Sequence, residues 1–424
     1  MPEEKKLLAL DDALVRLFAA APPLARVEDV DLSRADGRVL ARDLVAELQV
    51  PPHDCSAMDG YALRAADLAA AGTAAPPILP VSQRIAAGQT GAPLAPGSAA
   101  RIFTGAPLPP GADTVVMQED TQSLEDGARV RITAPAASVT VGQHVRPAGE
   151  DVARGALILR RGERLTPASL GLAATLGHAR VTVAARPRVA LFATGDELVM
   201  PGSVAPQDLP PGRIYDSNRF FLRALLERLG CAVSEPVTLP DRLDATVAAL
   251  GQAAQTHDLI LTNGGVSVGE EDHVKPAVQQ LGRLDLWQIA IKPGKPFAFG
   301  QLPRADGGAC LFAGLPGNPV SSFVTFVLLV RPLLLQLQGA TQTVQSALPA
   351  LPLRADFDWP RSGPRREFLR VRRNADGGLD LYPNQGSAVL TALHWADGLV
   401  DLPAGQTIAR GDTVRYLPLA EALA

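Results

Sequence analysis

"LILTNGGVSVGEEDHVKP" occupies residues 259–276, and the chain around it is organised by what this stretch is. A short apolar run, 259–262, leads into Asn263-Gly264-Gly265, and the acidic residues Glu270, Glu271 and Asp272 then precede a helical pattern reaching residue 281. An apolar run of this length that ends in glycines before a helix reads as a buried strand of a parallel sheet and its carboxyl-end loop. Residues 265–269, Gly-Val-Ser-Val-Gly, also match G-x-S-x-G. A nucleophile elbow needs its serine on a sharp turn directly between strand and helix. Here Asn263, Gly264 and Gly265 intervene after Thr262, and Val268-Gly269 follow Ser267. A triad with Asp285 or Asp306 could draft only His394, far along in a β-textured region. Serine hydrolysis is therefore rejected. Gly264, Gly265 and Gly269 read instead as a backbone nest whose N–H groups face an anion, with Ser267 adding a hydroxyl.

The same alternation surrounds this loop. "RVALFAT", "AVSEPVTL", "DLILT" and "ACLFAG" alternate with helical patterns at 217–229, 241–255 and 272–281, which start at Ser217, Asp241 and Asp272, and a long helix follows at about 317–337. Apolar strands alternating with helices specify a parallel, doubly wound α/β sheet covered on both faces. Ligands of such sheets bind beyond the carboxyl ends of the strands. There the sequence places Gly195-Asp196-Glu197, Pro240-Asp241-Arg242, the 263–272 loop and Leu315-Pro316-Gly317-Asn318-Pro319. Any one of these is an ordinary turn; their concurrence points to a site. Carboxylates beside an anion repel it unless a cation intervenes. Asp196, Glu197, Glu270 and Asp272 are therefore expected to hold Mg²⁺ bridged to phosphate oxygens. Lys292 and Lys295, stiffened by Pro293, Gly294 and Pro296, suit a pyrophosphate or an oxyanion.

Composition excludes several classes. The 424 residues carry 40 basic and 44 acidic side chains, a net charge of −4, so no overall field attracts nucleic acid. Three distant cysteines argue against a disulfide framework or a cysteine zinc site and for a reducing compartment. Asp11 and Asp12 interrupt the apolar N-terminal stretch, so it is not read as a signal peptide. The run "FVTFVLLV" at 323–330 is short of the ~20 residues a membrane span needs. A cytoplasmic chain with neither membrane nor nucleic-acid partners is expected. Glycine and proline punctuation divides it. Residues 8–20 are helical and 24–48 read as a further amphipathic segment; 50–143 is β-like ("RIFTG", "TVVMQE", "ARVRITA"); 145–183 holds the helix "PASLGLAATLG", stopped at Gly177; after Gly339 the texture is β again. The expected domains are a helical N-terminal domain (1–49 with 144–183), a β-rich insertion (50–143), the α/β domain (184–338) and a C-terminal β-barrel or sandwich (339–424).

These motifs resemble one family closely. "PPHDCSAMDGYAL" (51–63), "FTGAPLPPGADTVVMQED" (103–120), "VRPAGEDV" (145–152), "ATGDEL" (193–198), "GRIYDSNRFFL" (212–222), "LTNGGVSVGEEDHVK" (261–275), "IKPGKPFAFG" (291–300) and "GLPGNPVSS" (314–322) are similar to molybdopterin molybdenumtransferase, the family that includes the gephyrin E domain. "QGS" (385–387) and "ADGLVDLPAG" (396–405) extend the likeness to the C-terminal region. The resemblance implies insertion of molybdate into adenylylated molybdopterin with Mg²⁺-assisted phosphoanhydride cleavage and AMP release. It further implies an elongated homodimer, receipt of substrate from a molybdopterin adenylyltransferase and delivery to molybdoenzymes. It assigns catalytic roles to Asp59, Thr104, Asp151, Glu197, Asp241 and Asp272. Substrate contacts are implied for Lys292, Lys295, Pro316, Pro319, Arg365, Arg366 and Ser387. Two other readings of the same residues are a non-catalytic pterin-binding scaffold and the adenylyltransferase itself. Gln288, where some relatives carry a basic residue, and the long loop 201–213 depart from the pattern.

Overall fold

The computed structural model describes residues 7–70, 76–240, 242–266, 273–341, 349–361 and 363–423. Two compact units divide the chain: Met1–Arg42 with Arg161–Thr166 and Arg180–Ala424, and Asp43–Arg160 with Pro167–Ala179.

The first unit joins an α/β sheet to a C-terminal barrel, and its first helix is α1 (Leu10–Ala20). The main strands of the sheet are β1 (Arg188–Ala193), β2 (Leu259–Asn263), β3 (Arg283–Gln288), β4 (Pro296–Pro303) and β5 (Ala309–Leu315). The order is β1, β2, β5, β4, β3, with the short strand Ala232–Val233 outside β1. Pairing is parallel from that edge through β5. It is antiparallel from β5 to β4 and from β4 to β3. The sheet is thus mixed and not parallel throughout, as the strand–helix alternation suggested. The five residues 304–308 between β4 and β5 are too few for a crossover helix, so the two strands form a hairpin.

Side-chain alternation along the strands explains the two-sided burial. Leu191, Leu261 and Ala313 face a core shared with α1, α2 (Asn218–Arg228) and the long helix α5 (Pro319–Leu337). Their neighbours Ala190, Ile260 and Phe312 face α3 (Leu243–Thr256) and α4 (Val274–Leu281) on the other side. By length and composition α5 could cross a membrane, with mean hydropathy 1.8, but 89% of it is buried inside the protein. It is the central core helix, and the run 323–330 lies within it.

The region 24–48 holds no α-helix, only the 3₁₀ turn Leu32–Arg34. Val27–Asp31 is a strand paired antiparallel with Arg180–Ala184, and Arg180 bridges Asp29 at 2.8 Å and Asp31 at 2.7 Å. The partner strand lies about 150 residues away, so no local window of sequence contains the contacts that favour β structure here. The C-terminal region resolves the choice between barrel and sandwich. Strands β6 (Leu351–Ala355), β7 (Arg366–Arg373), β8 (Gly378–Leu381), β9 (Gly398–Leu402) and β10 (Thr413–Pro418) pair in the order β7, β8, β6, β10, β9, and β9 pairs again with β7. That closure makes a five-stranded barrel, which leaves no free edge. The short strand Ile291–Lys292 pairs with β7 and ties the barrel to the α/β layer.

The second unit holds a six-stranded sheet in the order Thr114–Met117, Gly60–Leu63, Ala99–Ile102, Ile78–Ile85, Arg129–Ile132, Thr121–Leu124. Its helix Pro167–Thr175 was legible in the sequence.

Candidate active site

The carboxyl ends of β1, β2 and β5 open into a cavity of about 480 Å³, lined by Thr194, Glu197, Asn263, Gly264, Gly265, Val266, Pro316, Gly317, Asn318 and Pro319 among others. The cavity lies at the strand ends, where the rim rule for parallel sheets places ligands. Helices α2 and α5 both begin at this wall, since Ser217 and Asn218, and Asn318 and Pro319, line it. Each N-terminus brings the positive end of a helix dipole, which favours an anion, although the Arg219 and Val320 N–H groups are already taken by Asp216 and Ser387 and Pro319 has none. Ser217 does not cap α2 through its side chain. Asp216 does so instead: it is 2% exposed, accepts from the Arg219 N–H at 3.1 Å and pairs with the Arg219 guanidinium at 3.0 Å. The long loop 201–213 is pinned where Tyr215 donates to the Val204 carbonyl at 2.8 Å, and Ile214 and Tyr215 line the cavity.

The glycine cradle is only partly as expected. The Gly264 N–H donates to the Leu315 carbonyl at 3.0 Å, so it joins two loops and does not face a ligand. Gly264 has φ +89°, and a Cβ there would lie 2.6 Å from Thr194 Oγ1, so both conformation and space demand glycine. Gly195, with φ +127°, has the Glu197 carboxylate folded over it, where a Cβ would meet Oε2 at 2.3 Å. Glu197 is exposed on the cavity wall; its carbonyl accepts from the Ile214 N–H at 2.8 Å, but its carboxylate has no hydrogen-bond or ion-pair partner among the described residues. Such a carboxylate oxygen is the donor Mg²⁺ takes alongside substrate oxygens. Asp196 is exposed beside it. Asp241, Ser267, Gly269, Glu270 and Asp272 lie outside the described residues, and among those described no three His, Cys, Asp or Glu side chains converge as a metal cluster.

The cationic residues separate into two groups. Lys295 is exposed next to Pro296, which lines the cavity, and meets no carboxylate among the described residues. Ser387 joins the same wall, since its hydroxyl accepts from Asn318 Nδ2 at 3.1 Å and its carbonyl accepts from the Val320 N–H at 3.0 Å. Lys292 is half-exposed and pairs with the buried Glu367 at 3.3 Å. Arg365 donates to the Ile291 carbonyl at 3.1 Å. Arg366 is different. Its guanidinium grips the buried Asp401 in two bonds of 2.5 and 2.6 Å and reaches Asp11 at 3.1 Å. Three of its five N–H donors are taken in this way, so Arg366 is a structural tie between barrel and α1, with two donors left for the substrate contact expected of it.

In the second unit Asp59 Oδ1 accepts from the backbone N–H and the hydroxyl of Thr104, both at 2.8 Å. Those two bonds hold the Asp59 carboxyl below its ordinary range. Asp151 is exposed, and the nearby Arg146 pairs with Glu150 at 2.9 Å. Burial pushes the Cys231 and Cys310 thiols up to about 12, which removes both as thiolate nucleophiles.

Sequence reasoning missed the asparagines. Asn218 donates to the Gly317 carbonyl at 2.6 Å and to Asn263 Oδ1 at 3.0 Å, and Ser322 reaches the same Oδ1 at 3.3 Å. They form a buried belt under the cavity that joins β2, α2 and the β5–α5 turn. Only their position directly after a strand or at a helix start could have marked them.

Residues 8–177 match the family model described as the MoeA N-terminal region (domain I and II), 190–336 that of a probable molybdopterin binding domain, and 352–419 the MoeA C-terminal region (domain IV). The chain is 42% identical to the molybdopterin molybdenumtransferase of Haemophilus influenzae over 79% of each chain. It is 38% identical to molybdopterin molybdenumtransferase 2 of Mycobacterium tuberculosis, covering 92% of this chain and 94% of that one. The crystal structure of the molybdopterin biosynthesis moeA protein from Pyrococcus horikoshii superposes with a TM-score of 0.81 at 28% identity, covering 97% of this chain and 100% of that one.

Proposed function

Because the chain belongs to the molybdopterin molybdenumtransferase family, we propose that it inserts molybdenum from molybdate into adenylylated molybdopterin, with Mg²⁺-assisted cleavage of the phosphoanhydride and release of AMP, and that it works as a homodimer. The observation that carries this reading is the α/β cavity, where two helix N-termini, the unpaired Glu197 carboxylate and the neighbouring Lys295 meet. The four-domain division expected from the sequence is kept as part of the proposal.

The substrates set the chemical problem. Molybdate is a dianion, and the adenylylated pterin carries a phosphoanhydride, so the two repel. The helix N-termini and Lys295 reduce that repulsion, and Lys292, Arg365 and Ser387 extend the polar surface towards the barrel. Holding both reactants makes ligand exchange between oxo and sulfur effectively intramolecular. Glu197, with Asp196, Glu270 and Asp272 as the further candidates, would hold Mg²⁺. When bound, the ion neutralises charge on the phosphoanhydride oxygens. Asp59, kept ionised by Thr104, serves as a fixed negative group or proton acceptor in the second unit.

The decisive experiment incubates the protein with adenylylated molybdopterin, Mg²⁺ and molybdate and measures AMP. Molybdate-dependent AMP release supports the proposal. Binding without release favours the pterin-binding scaffold, and ATP consumption with free molybdopterin favours the adenylyltransferase. Lys292→Ala should weaken binding of the adenylylated pterin by about 1.5–3 kcal/mol, the range for a lost charge-assisted hydrogen bond. Calorimetry that finds unchanged affinity would leave Lys292 as the counter-ion of Glu367 alone.

A further inference from the structure

We propose that the side-chain amide of Asn263 is a substrate-binding group, whose NH₂ donates a hydrogen bond to a phosphate oxygen of the adenylylated pterin at the floor of the α/β cavity. The inference rests on the function proposed above and adds a contact outside the glycine cradle and the lysines.

The orientation of this amide follows from its neighbours. The Gly317 carbonyl can only accept, so the Asn218 side-chain atom 2.6 Å from it is the nitrogen. That nitrogen carries a second proton, directed at Asn263 from 3.0 Å. The Asn263 atom that receives it must therefore be the oxygen, and the Ser322 hydroxyl lies 3.3 Å from that same oxygen. The backbone carbonyl of Asn263 is also engaged, accepting from the Thr194 N–H at 3.1 Å. With Oδ1 held by Asn218 and Ser322, the flat amide has one orientation, and its NH₂ lies on the side away from that oxygen.

Asn263 is 4% exposed, lies at the carboxyl end of β2 and lines the cavity. Its NH₂ has no hydrogen-bond acceptor among the described residues. The nitrogen is not sealed from solvent, so water satisfies it in the free protein and an acceptor on a ligand would take the place of that water. The N-termini of α2 and α5 open on the same cavity, so the acceptor that fits best is anionic. A phosphate oxygen meets both requirements.

Two variants separate this role from the belt beneath it. Asn263→Asp keeps the shape and the oxygen that receives Asn218 and Ser322, and replaces only the NH₂. Asn263→Ser carries no charge, and its shorter side chain reaches neither Asn218 nor the ligand. Binding of adenylylated molybdopterin without molybdate or Mg²⁺ is read by calorimetry, and folding by thermal melting. Both variants should melt cooperatively and bind about 10- to 100-fold more weakly than wild type. Asn263→Ser binding within twofold of wild type overturns the proposal, even if Asn263→Asp is weakened, because charge repulsion alone then explains the aspartate. Should the serine variant not fold, Asn263→Asp binding within twofold overturns it. A wild-type chain that does not bind adenylylated molybdopterin refutes the proposed function itself; a wild type that binds, with variants that bind equally, refutes only the role of Asn263.

Discussion

Asp272→Asn is expected to leave the protein folded and able to bind adenylylated molybdopterin while lowering molybdate-dependent AMP release about 100-fold or more. Two roles compete for this residue. As a helix cap it could be replaced by asparagine at little cost, because Asn caps as well as Asp. As a Mg²⁺ ligand, or as the charge that orients a metal–phosphate assembly, it could not, because the amide lacks the charge. Helix α4 starts at Val274 with His273 at its cap position, so Asp272 holds the sequence position from which Asp216 caps α2, and it lies outside the described residues. The sequence keeps the other role open, since Asp272 closes a Gly-Glu-Glu-Asp run after the loop that Asn263, Gly264 and Gly265 begin at the cavity. Binding should be measured by calorimetry and AMP release at saturating Mg²⁺. Release near the wild-type rate would show that no charge is needed at position 272.

Asp258→Ala is expected to destabilise the first unit by about 3 kcal/mol at pH 7, the lower end of the range for removing one partner of a buried ion pair. The Asp258 carboxylate is 2% exposed and is surrounded by Arg26, by Arg188 at 3.0 Å and by Arg304 at 3.5 Å. It also accepts from the Arg188 N–H at 2.8 Å, at the first residue of β1. Its loss would leave three guanidinium groups together, but those of Arg26 and Arg188 are 45% and 36% exposed and can turn to water, which limits the penalty. Burial acts to raise the Asp258 carboxyl, and the Arg188 bonds and Arg26 charge outweigh it, so the group titrates below its ordinary 3.8. A carboxyl lowered by folding stabilises fully above its unfolded value and loses that contribution as pH falls through the folded value. Urea unfolding followed by circular dichroism should therefore show a constant gap between wild type and variant from pH 7 down to about 5, closing below about 4. A gap that persists unchanged at acid pH would assign the loss to packing and not to charge.

Asp258 also illustrates what local sequence can reveal. "DLILT" was legible as a strand because Leu259, Ile260 and Leu261 have no polar face, which only a doubly covered sheet accommodates. That the aspartate before it would gather Arg26 and Arg304 was not legible, because those residues arrive from 232 and 46 positions away. The same holds for the 24–48 region. Val27–Asp31 carries a pattern that suits a helix or a strand, and the partner Arg180–Ala184 decided between them. The β4–β5 hairpin follows from a short turn whose consequence for strand direction the alternation pattern does not encode.

For the site, the sequence by itself determined the rim: glycines, carboxylates and prolines directly after strands fix where a parallel sheet binds ligand, because strand ends and helix starts there are set by local periodicity. Glu197, Gly265, Pro316 and Pro319 were found this way. Only the tertiary structure decided which polar atoms are available there. Gly264 gives its N–H to Leu315, Arg366 is bound by Asp401, and Asn263, which lines the cavity, has its oxygen held by Asn218 and Ser322. Hydrogen-bond capacity is exclusive: each donor already satisfied across the fold is withdrawn from a ligand, and those partners lie far away in sequence.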